Sequence, residues 1–158
     1  MRLQKVDNAI AEKPNVGDLE KAMLQTEGVL VGSQTDDICK LAHHFAPGVY
    51  GREITIPAGM VVVGHRHKEA TMNVVLSGHA WLVCEGDDPK LVGPGVFVSQ
   101  PGVRKAAIAI SDFRIINIHP TEETDLEIIE GLTIDKSEAF MEAERLMMTV
   151  NKFLEGSE

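Results

Sequence analysis

The sequence contains little cysteine and comparatively little positive charge. Its 158 residues include two cysteines, Cys39 and Cys84, whose separation matches no metal-binding motif. No disulfide framework is expected, and two free thiols suit a reducing cytoplasm. The 15 lysines and arginines are outnumbered by 24 aspartates and glutamates, so the net charge is -9. Because nucleic acids bind basic surfaces, this composition argues against a nucleic acid as the main partner.

Long apolar runs are missing as well. The first five residues lack the apolar centre of a signal peptide, and no apolar run approaches the ~20 residues of a membrane-spanning helix. We therefore expect a cytoplasmic protein without a membrane partner. Hydrophobic residues make up 44% of the chain and charged residues 25%, which is typical of a globular domain that can bury a core.

From residue 38 onward, short apolar segments alternate with turn-forming dipeptides such as Pro47-Gly48, Ser77-Gly78 and Pro101-Gly102. Regular short strands between such turns favour a β-sandwich or a barrel over alternating strands and helices. The predicted strands are 38–45, 49–56, 60–67, 72–76, 79–84, 90–93, 96–99, 103–110 and 113–119.

Helical patterns flank this β region on both sides. Asp18 is a suitable N-cap for a short helix over residues 19–27, and residues 29–31 resemble a short strand. Apolar side chains recur at helical spacing from about residue 136 to 154, which predicts an amphipathic helix that packs on the barrel or on a partner. The predicted parts of this single domain are an N-terminal arm with a short helix (1–37), a barrel (38–130) and a C-terminal helical segment (131–158).

Two histidines one residue apart follow the turn at residues 57–59. Side chains at i and i+2 of a strand point to the same face, about 7 Å apart. His65 and His67 are therefore predicted to face one interior, where two imidazoles can share a metal ion. In the last predicted strand, Asn117 and His119 alternate with isoleucines, so both are predicted to face the same interior.

These histidines lie at the spacing of a known motif. Gly59, five residues, His65-Arg66-His67, three residues, Thr71, six residues and Gly78 resemble the first motif of the cupin superfamily, which has glutamate at the position of Thr71. We thus predict an all-β, cupin-type jelly-roll barrel with a short N-terminal helix and a C-terminal amphipathic helix. The same resemblance implies a homodimer.

The second cupin motif is matched in spacing but not in its metal ligand. Gly95 and Pro101 occupy its glycine and proline positions, and Gly102 comes one residue early. Lys105 then stands where the motif has histidine. A one-residue shift in the turn would instead place Ala106 inside the barrel.

A closer resemblance covers about residues 40–130. The matching residues are 44–54, 56–59, 67–68, 101–102, 119 and 121–126. They resemble a group of single-domain cupins from bacteriophage and prophage genomes, which implies a phage protein in a host cytoplasm and names no reaction. In this interpretation Arg52 and Glu53 form an ion pair.

The cupin resemblance implies a metal site. Cupin metals are usually held by three histidines and a carboxylate, a set that suits Fe, Mn, Ni or Zn. His65, His67 and His119 are the candidate ligands. The exchange of glutamate for threonine removes a negative charge and the exchange of histidine for lysine adds a positive one, so the pocket favours an anion. The candidate ligand-binding residues are Lys105, Thr71, Asn73 and Asn117.

Three functional classes follow, none with an established reaction. The first, which we favour as a binding function, is a small-molecule-binding cupin that keeps a transition metal on its histidines. The second is a metal-free module that binds a carboxylate, a phosphate or a sugar phosphate through Lys105 and the same histidines. The third is a phage-type structural or interaction protein whose C-terminal helix makes the contacts. The cupin fold alone does not choose among them, because one fold hosts unrelated functions.

Overall fold

The computed structural model describes residues 15–155; residues 1–14, in the predicted N-terminal arm, and residues 156–158 lie outside the described part. The strands are β1 (Lys40–Ala46), β2 (Val49–Ile56), β3 (Val61–Val63), β4 (Arg66–His67), β5 (Thr71–Ser77), β6 (Ala80–Cys84), β7 (Lys90–Val92), β8 (Gly95–Ser99), β9 (Lys105–Ala109), β10 (Phe113–Pro120) and β11 (Ile134–Asp135). The helices are α1 (Val16–Leu24), α2 (Leu126–Thr133) and α3 (Glu138–Glu155), with a 3₁₀ turn at Gly32–Thr35.

Two antiparallel sheets form the barrel. Five strands lie in the order β1-β2-β10-β5-β8, and four lie in the order β3-β9-β6-β7. The short strands β4 and β11 pair with each other. The predicted jelly-roll barrel with a short N-terminal helix and a C-terminal helix is confirmed. No described helix has the combination of length and apolar character needed to cross a membrane.

The inner face of the five-stranded sheet has an apolar end and a polar end. At the apolar end, Ile54 of β2 lies opposite Ile115 of β10. Two residues further along the same face, Arg52 lies opposite Asn117, which in turn lies opposite Asn73 of β5. Because side chains alternate along each strand, this register gathers the polar residues in one layer of the barrel interior. The buried core at the apolar end consists of Cys39, Ile56, Val75, Ala80, Ala109, Phe113 and Ile115.

The turn between β5 and β6 requires glycine at position 78. Gly78 has a φ of +79°, a conformation that L side chains rarely adopt. A Cβ at this position would lie 2.0 Å from the carbonyl oxygen of Asp112. The backbone conformation and the close approach of Asp112 therefore both require the last glycine of the first cupin motif in this chain.

Helix α1 is held to the barrel by a buried ion pair. Arg104, just before β9, is 6% exposed and pairs with Glu20 of α1. Ser137 Oγ donates to the other oxygen of Glu20 at 2.7 Å, so one carboxylate joins α1, the barrel and the start of α3. The helix begins at Val16 rather than at residue 19, because the side chain of Asn15 is the N-cap.

The strand predicted over residues 60–67 is interrupted. β3 pairs with β9, whereas β4, which contains His67, pairs with β11. The N–H of Gly64 donates to the carbonyl of Lys105 at 2.9 Å, and His65 lies outside both strands, where the pairing partner changes. The same-face relation predicted for His65 and His67 therefore does not follow from strand geometry.

The chain between β10 and α3 contains two elements that the sequence analysis does not predict. Helix α2 begins after Asp125, whose side chain accepts hydrogen bonds from the N–H groups of Glu127 and Ile128, and β11 follows directly. Residues 29–31, predicted as a strand, form none and lead into the 3₁₀ turn. Both added elements, α2 and β11, contribute residues to the wall of the barrel cavity.

Candidate functional site

A cavity of about 520 Å³ lies inside the barrel, lined by both sheets and by residues of α1, α2 and α3. Ligand pockets for small organic molecules usually measure roughly 300–1,000 Å³, so this cavity has a suitable size. The predicted site residues that line it are His65, His67, Asn73, Lys105, Asn117 and His119. Thr71 lies behind His67, to which it is hydrogen-bonded.

Lys105, at the position of the cupin histidine, points into the barrel and is held by two hydrogen bonds. Its Nζ donates to Asn73 Oδ1 at 3.0 Å and to Ser99 Oγ at 2.6 Å. Asn73 Oδ1 also accepts from Asn117 Nδ2 at 2.7 Å. Asn73 is 1% exposed, so this hydrogen-bonded group forms a fixed part of the cavity wall.

The alternative register, with Ala106 in place of Lys105, is not adopted. Ala106 is 1% exposed and packs in a separate apolar cluster with Val16 and Val83. The helix α1 thus covers the other face of β9 while Lys105 faces the cavity. Gly102 follows Pro101 directly, one residue earlier than in the second cupin motif, and Lys105 therefore occupies the position of the motif's histidine.

Lys105 is easier to deprotonate than an ordinary lysine. Burial lowers the pKa of Lys105 from 10.5 to about 8, and the nearby thiol of Cys84 acts in the opposite direction. Among the ion pairs of residues 15–155, none includes Lys105. The amine is therefore mainly protonated at neutral pH and lacks a carboxylate partner within the described chain.

Thr71 replaces the cupin glutamate and fixes the orientation of His67. Thr71 Oγ1 lies 2.8 Å from His67 Nδ1 and donates to the carbonyl of Glu69 at 3.2 Å. Since the only hydroxyl proton goes to Glu69, the hydroxyl accepts from Nδ1–H, and Nε2 of His67 carries the lone pair. Burial, with the charge of Lys105 as the second cause, lowers the pKa of His67 to about 3, so this imidazole is neutral at physiological pH.

His119 lies beside His67 at the polar end of the cavity. The two ring centroids are 5.3 Å apart, and the ring of His119 also stacks near Tyr50 at 6.1 Å. His119 is 5% exposed; burial and then the charge of Arg52 lower its pKa. On the same wall, His43 Nδ1 lies 2.8 Å from the hydroxyl of Tyr50.

Arg52 is a candidate site residue that the sequence analysis does not identify. The ion pair predicted between Arg52 and Glu53 does not form, because neighbouring residues of β2 point to opposite faces. Glu53 instead pairs with His44 and Arg114. Arg52 lines the cavity, and no carboxylate of residues 15–155 is paired with its guanidinium. Its charge contributes to the lowered pKa of His43, the first cause there being burial.

His65 contacts helix α3 rather than the other two candidate ligands. Its ring meets Phe140 edge-on, with centroids 4.5 Å apart. Burial, followed by the charge of Lys136, lowers the pKa of His65 to about 4. Its Nδ1 is buried without a hydrogen-bond partner in the described part of the chain. The neutral ring thus forms an apolar contact between the cavity wall and α3.

The donors do not fit the usual cupin metal site. In the chain from residue 15 to 155, no three histidine, cysteine, aspartate or glutamate side chains are grouped so that they could hold a metal ion. His67 and His119 are close, but His65 packs on Phe140, and a threonine and an amine stand at the positions of two further ligands. A metal bound by His65, His67 and His119 stays a prediction that these positions do not favour.

In the described part of the chain, the carboxylates that line the cavity belong to the helices and to the segment before β1, and none belongs to a barrel strand. The lining carboxylates are Glu20, Asp36, Glu127, Glu130 and Glu144. Lys136 lies 3.4 Å from Glu130 and 3.7 Å from Glu144, which neutralises part of this charge. The lining strand residues instead supply two cations, Arg52 and Lys105. The strand residues that line the cavity are therefore positive relative to the helices and loops that line it.

Comparison with known proteins gives matches in structure alone. No family model matches the sequence, and no curated protein does. The structure is similar to the DMSP lyase DddQ from Ruegeria pomeroyi DSS-3, with a TM-score of 0.51 and 19% identity over 63% of this chain and 55% of that chain. It is also similar to salicylate 1,2-dioxygenase from Pseudoaminobacter salicylatoxidans, with a TM-score of 0.53 and 16% identity over 76% of this chain and 34% of that chain.

A further match is an RmlC-like cupin family protein with a double-stranded β-helix fold from Methanocaldococcus jannaschii, with a TM-score of 0.47 and 14% identity over 53% of this chain and 81% of that chain. The topology and the two matches with a TM-score above 0.5 define a protein with a jelly-roll barrel fold. The chain spans 55% of the length of the DMSP lyase and 34% of the dioxygenase. At these identities the likeness shows the fold alone, and the closer resemblance to phage cupins stays a prediction.

Proposed function

We propose that the barrel cavity binds a small organic anion, with a carboxylate as the best chemical match, through Arg52 and Lys105. The observation that carries this proposal is that both cations line the cavity from barrel strands while neither is paired with a carboxylate of the described chain. A ligand carboxylate would supply the missing counter-charge. The proposal includes no metal ion and no reaction.

The two cations suit different parts of such a ligand. A guanidinium presents two parallel N–H donors to a carboxylate, whereas an amine acts as a point charge. Lys105 is half-buried, so an anion beside it would interact with less screening by water than at the surface. Next to these cations, Asn117 and His67 supply an amide and an imidazole to the cavity wall. The remaining wall is largely apolar, which suits a small carbon skeleton.

Thermal unfolding tests this proposal. Chelator-treated protein is heated alone and with a panel of monocarboxylates, dicarboxylates and sugar phosphates, each beside its neutral amide or unphosphorylated analogue. We expect one or more carboxylates to raise the Tm, because a ligand at one hundred times its Kd stabilises the folded state by about 2.7 kcal/mol. The neutral analogues should have no comparable effect.

Three variants give the test its specificity. Arg52→Gln and Lys105→Met each remove one cavity cation and should remove most of the stabilisation. Arg66→Gln is the matched control, because Arg66 is exposed and pairs with Glu85 away from the cavity lining. Stabilisation that persists in both cavity variants, or that no carboxylate produces, would contradict the proposal. Stabilisation by sugar phosphates alone would reject the carboxylate as the ligand class.

A further inference from the structure

We propose that Lys105 is a nucleophile that forms an imine with the carbonyl group of a small 2-oxo acid bound in the cavity. This inference rests on the proposed anion-binding function and names its ligand class. The carboxylate of such a ligand would satisfy the cavity charge, and its adjacent carbonyl carbon would face an amine. Lys105 would then have a chemical role as well as an electrostatic one.

The first support is the hydrogen-bond geometry of the amine. A neutral amine has two protons and one lone pair. Both protons of Lys105 have acceptors in the wall, Asn73 Oδ1 at 3.0 Å and Ser99 Oγ at 2.6 Å. Asn73 Oδ1 is fixed in turn by Asn117 Nδ2. Because the nitrogen is tetrahedral, the lone pair points away from these two acceptors, and Lys105 lines the cavity. The wall thus orients the neutral amine as a nucleophile.

The second support is the surroundings of the amine. Lysines that react with carbonyl groups are activated by desolvation, which favours their neutral form. Burial lowers the pKa of Lys105 to about 8. Three titratable side chains interact electrostatically with this amine. Cys84 of β6 acts on the pKa of Lys105, and the charge of Lys105 acts on the pKa values of His67 of β4 and His119 of β10. Burial lowers the pKa of both histidines and raises that of the cysteine, so none of the three carries a stabilising negative charge at neutral pH.

The step balances without a further reactant. The lone pair of Lys105 Nζ forms the carbon–nitrogen bond, and the π electrons of the carbonyl move to its oxygen. Both amine hydrogens then leave with that oxygen as water, and the carbon–nitrogen double bond forms. Nothing is oxidised or reduced, so the step needs no oxidant, reductant or metal.

Reductive trapping tests the inference. The whole protein is incubated at pH 7.5 with pyruvate and sodium cyanoborohydride, which reduces an imine to a stable secondary amine. We expect one adduct per chain at Lys105, with a mass gain equal to pyruvic acid less one oxygen atom. Lys105→Arg, which keeps the positive charge, should lose this adduct, whereas Lys90→Arg at an exposed position should keep it.

The pH dependence separates Lys105 from exposed lysines. Trapping at Lys105 should level off above about pH 8, while trapping at ordinary lysines should keep rising towards their usual pKa of ~10.4. Lactate, which has the carboxylate but no ketone, should slow the modification of Lys105. Adducts spread over exposed lysines with Lys105 unmodified would overturn the inference.

The outcomes distinguish this inference from the function on which it rests. If carboxylates stabilise the protein but pyruvate leaves Lys105 unmodified, the imine is wrong and the anion site stands. If no carboxylate stabilises the protein and lactate does not slow the modification of Lys105, the proposed anion site is wrong, even if pyruvate is trapped on a lysine. Circular dichroism of Lys105→Arg shows whether the variant is folded, and Lys105→Met provides a second variant without the amine.

Discussion

The Nζ of Lys105 lies 3.0 Å from Asn73 Oδ1, and the same oxygen accepts from Asn117 Nδ2. A lysine therefore occupies the position at which the second cupin motif has a histidine, and its protons go to an amide and a hydroxyl rather than to a carboxylate. An amide oxygen can hold an ammonium group but cannot neutralise it. The counter-charge is left for a ligand to supply.

The buried amide of Asn73 is expected to contribute strongly to stability. Asn73→Leu would remove the acceptor shared by Lys105 and Asn117, and a buried donor without its partner costs roughly 1–3 kcal/mol. We expect the free energy of unfolding, measured in urea, to fall by about 2 kcal/mol. Asn151→Leu on the exposed surface of α3 is the control, and its effect should stay within ~0.5 kcal/mol. Equal effects of the two variants would contradict this role of Asn73.

Stability is expected to decrease on mild acidification because of His65 and His67. Their folded-state pKa values, about 4 and about 3, lie below the ordinary value of 6.5, so the unfolded chain binds more protons below that value. The stabilisation is complete above pH 6.5 and is lost as the pH falls towards 4 for His65 and towards 3 for His67. Between pH 7.5 and 5.5, each histidine should account for roughly 1.4 kcal/mol of lost stability.

Urea unfolding at several pH values measures this effect. His67→Gln should reduce the loss of stability between pH 7.5 and 5.5 by roughly 1.4 kcal/mol, whereas His79→Gln at an exposed position should leave it unchanged. A stability that does not change between pH 7.5 and 5.5 would show that the two imidazoles are not buried in their neutral form.

Metal binding should appear when the usual donors are restored. Thr71→Glu combined with Lys105→His would replace a neutral hydroxyl and an amine by a carboxylate and an imidazole, beside the close pair His67 and His119. We expect the double variant to retain about one transition metal ion per chain, measured by mass spectrometry after purification, and the unchanged protein to retain far less. Stoichiometric metal in the unchanged protein, lost in His67→Ala, would contradict the metal-free account.

The buried ion pair between Glu20 and Arg104 should hold α1 in place. Glu20→Gln would leave a buried guanidinium without its partner, which typically costs 3–5 kcal/mol. The matched control is Glu85→Gln, because Glu85 pairs with the exposed Arg66 and surface pairs contribute about 0–1 kcal/mol. Chemical unfolding of both variants checks this difference. A loss below 1 kcal/mol for Glu20→Gln would mean that α1 is held mainly by other contacts.

The strands of the barrel could be predicted from sequence because turn residues and apolar segments alternate regularly. The position of His65 could not be predicted in this way. The sequence analysis predicts one strand over residues 60–67, but the pairing changes at Gly64, from β9 to β11. Strand β11, the partner of β4, has only two residues and follows a short helix that the sequence pattern does not predict. The change of pairing partner after β3 is therefore visible only in three dimensions.

The inward orientation of Arg52 could have been predicted from the sequence, although the sequence analysis pairs Arg52 with Glu53. Tyr50, Arg52, Ile54 and Ile56 share one face of β2, and three of them are apolar or aromatic, which marks this face as the inner one. An ion pair with Glu53 would need both side chains on one face. For Lys105, in contrast, the sequence left two registers open, and packing of Ala106 under α1 selects one of them.

The most direct test of the anion site is isothermal titration at pH 8 with the carboxylate that gives the largest thermal stabilisation, in two buffers of different ionisation enthalpy. The account predicts one ligand per chain. It also predicts uptake of up to about half a proton, because an anion beside Lys105 would raise its pKa from about 8. Both signals should be lost in Arg52→Gln/Lys105→Met and kept in Arg66→Gln. Binding without proton uptake, or unchanged binding in the double variant, would contradict the account.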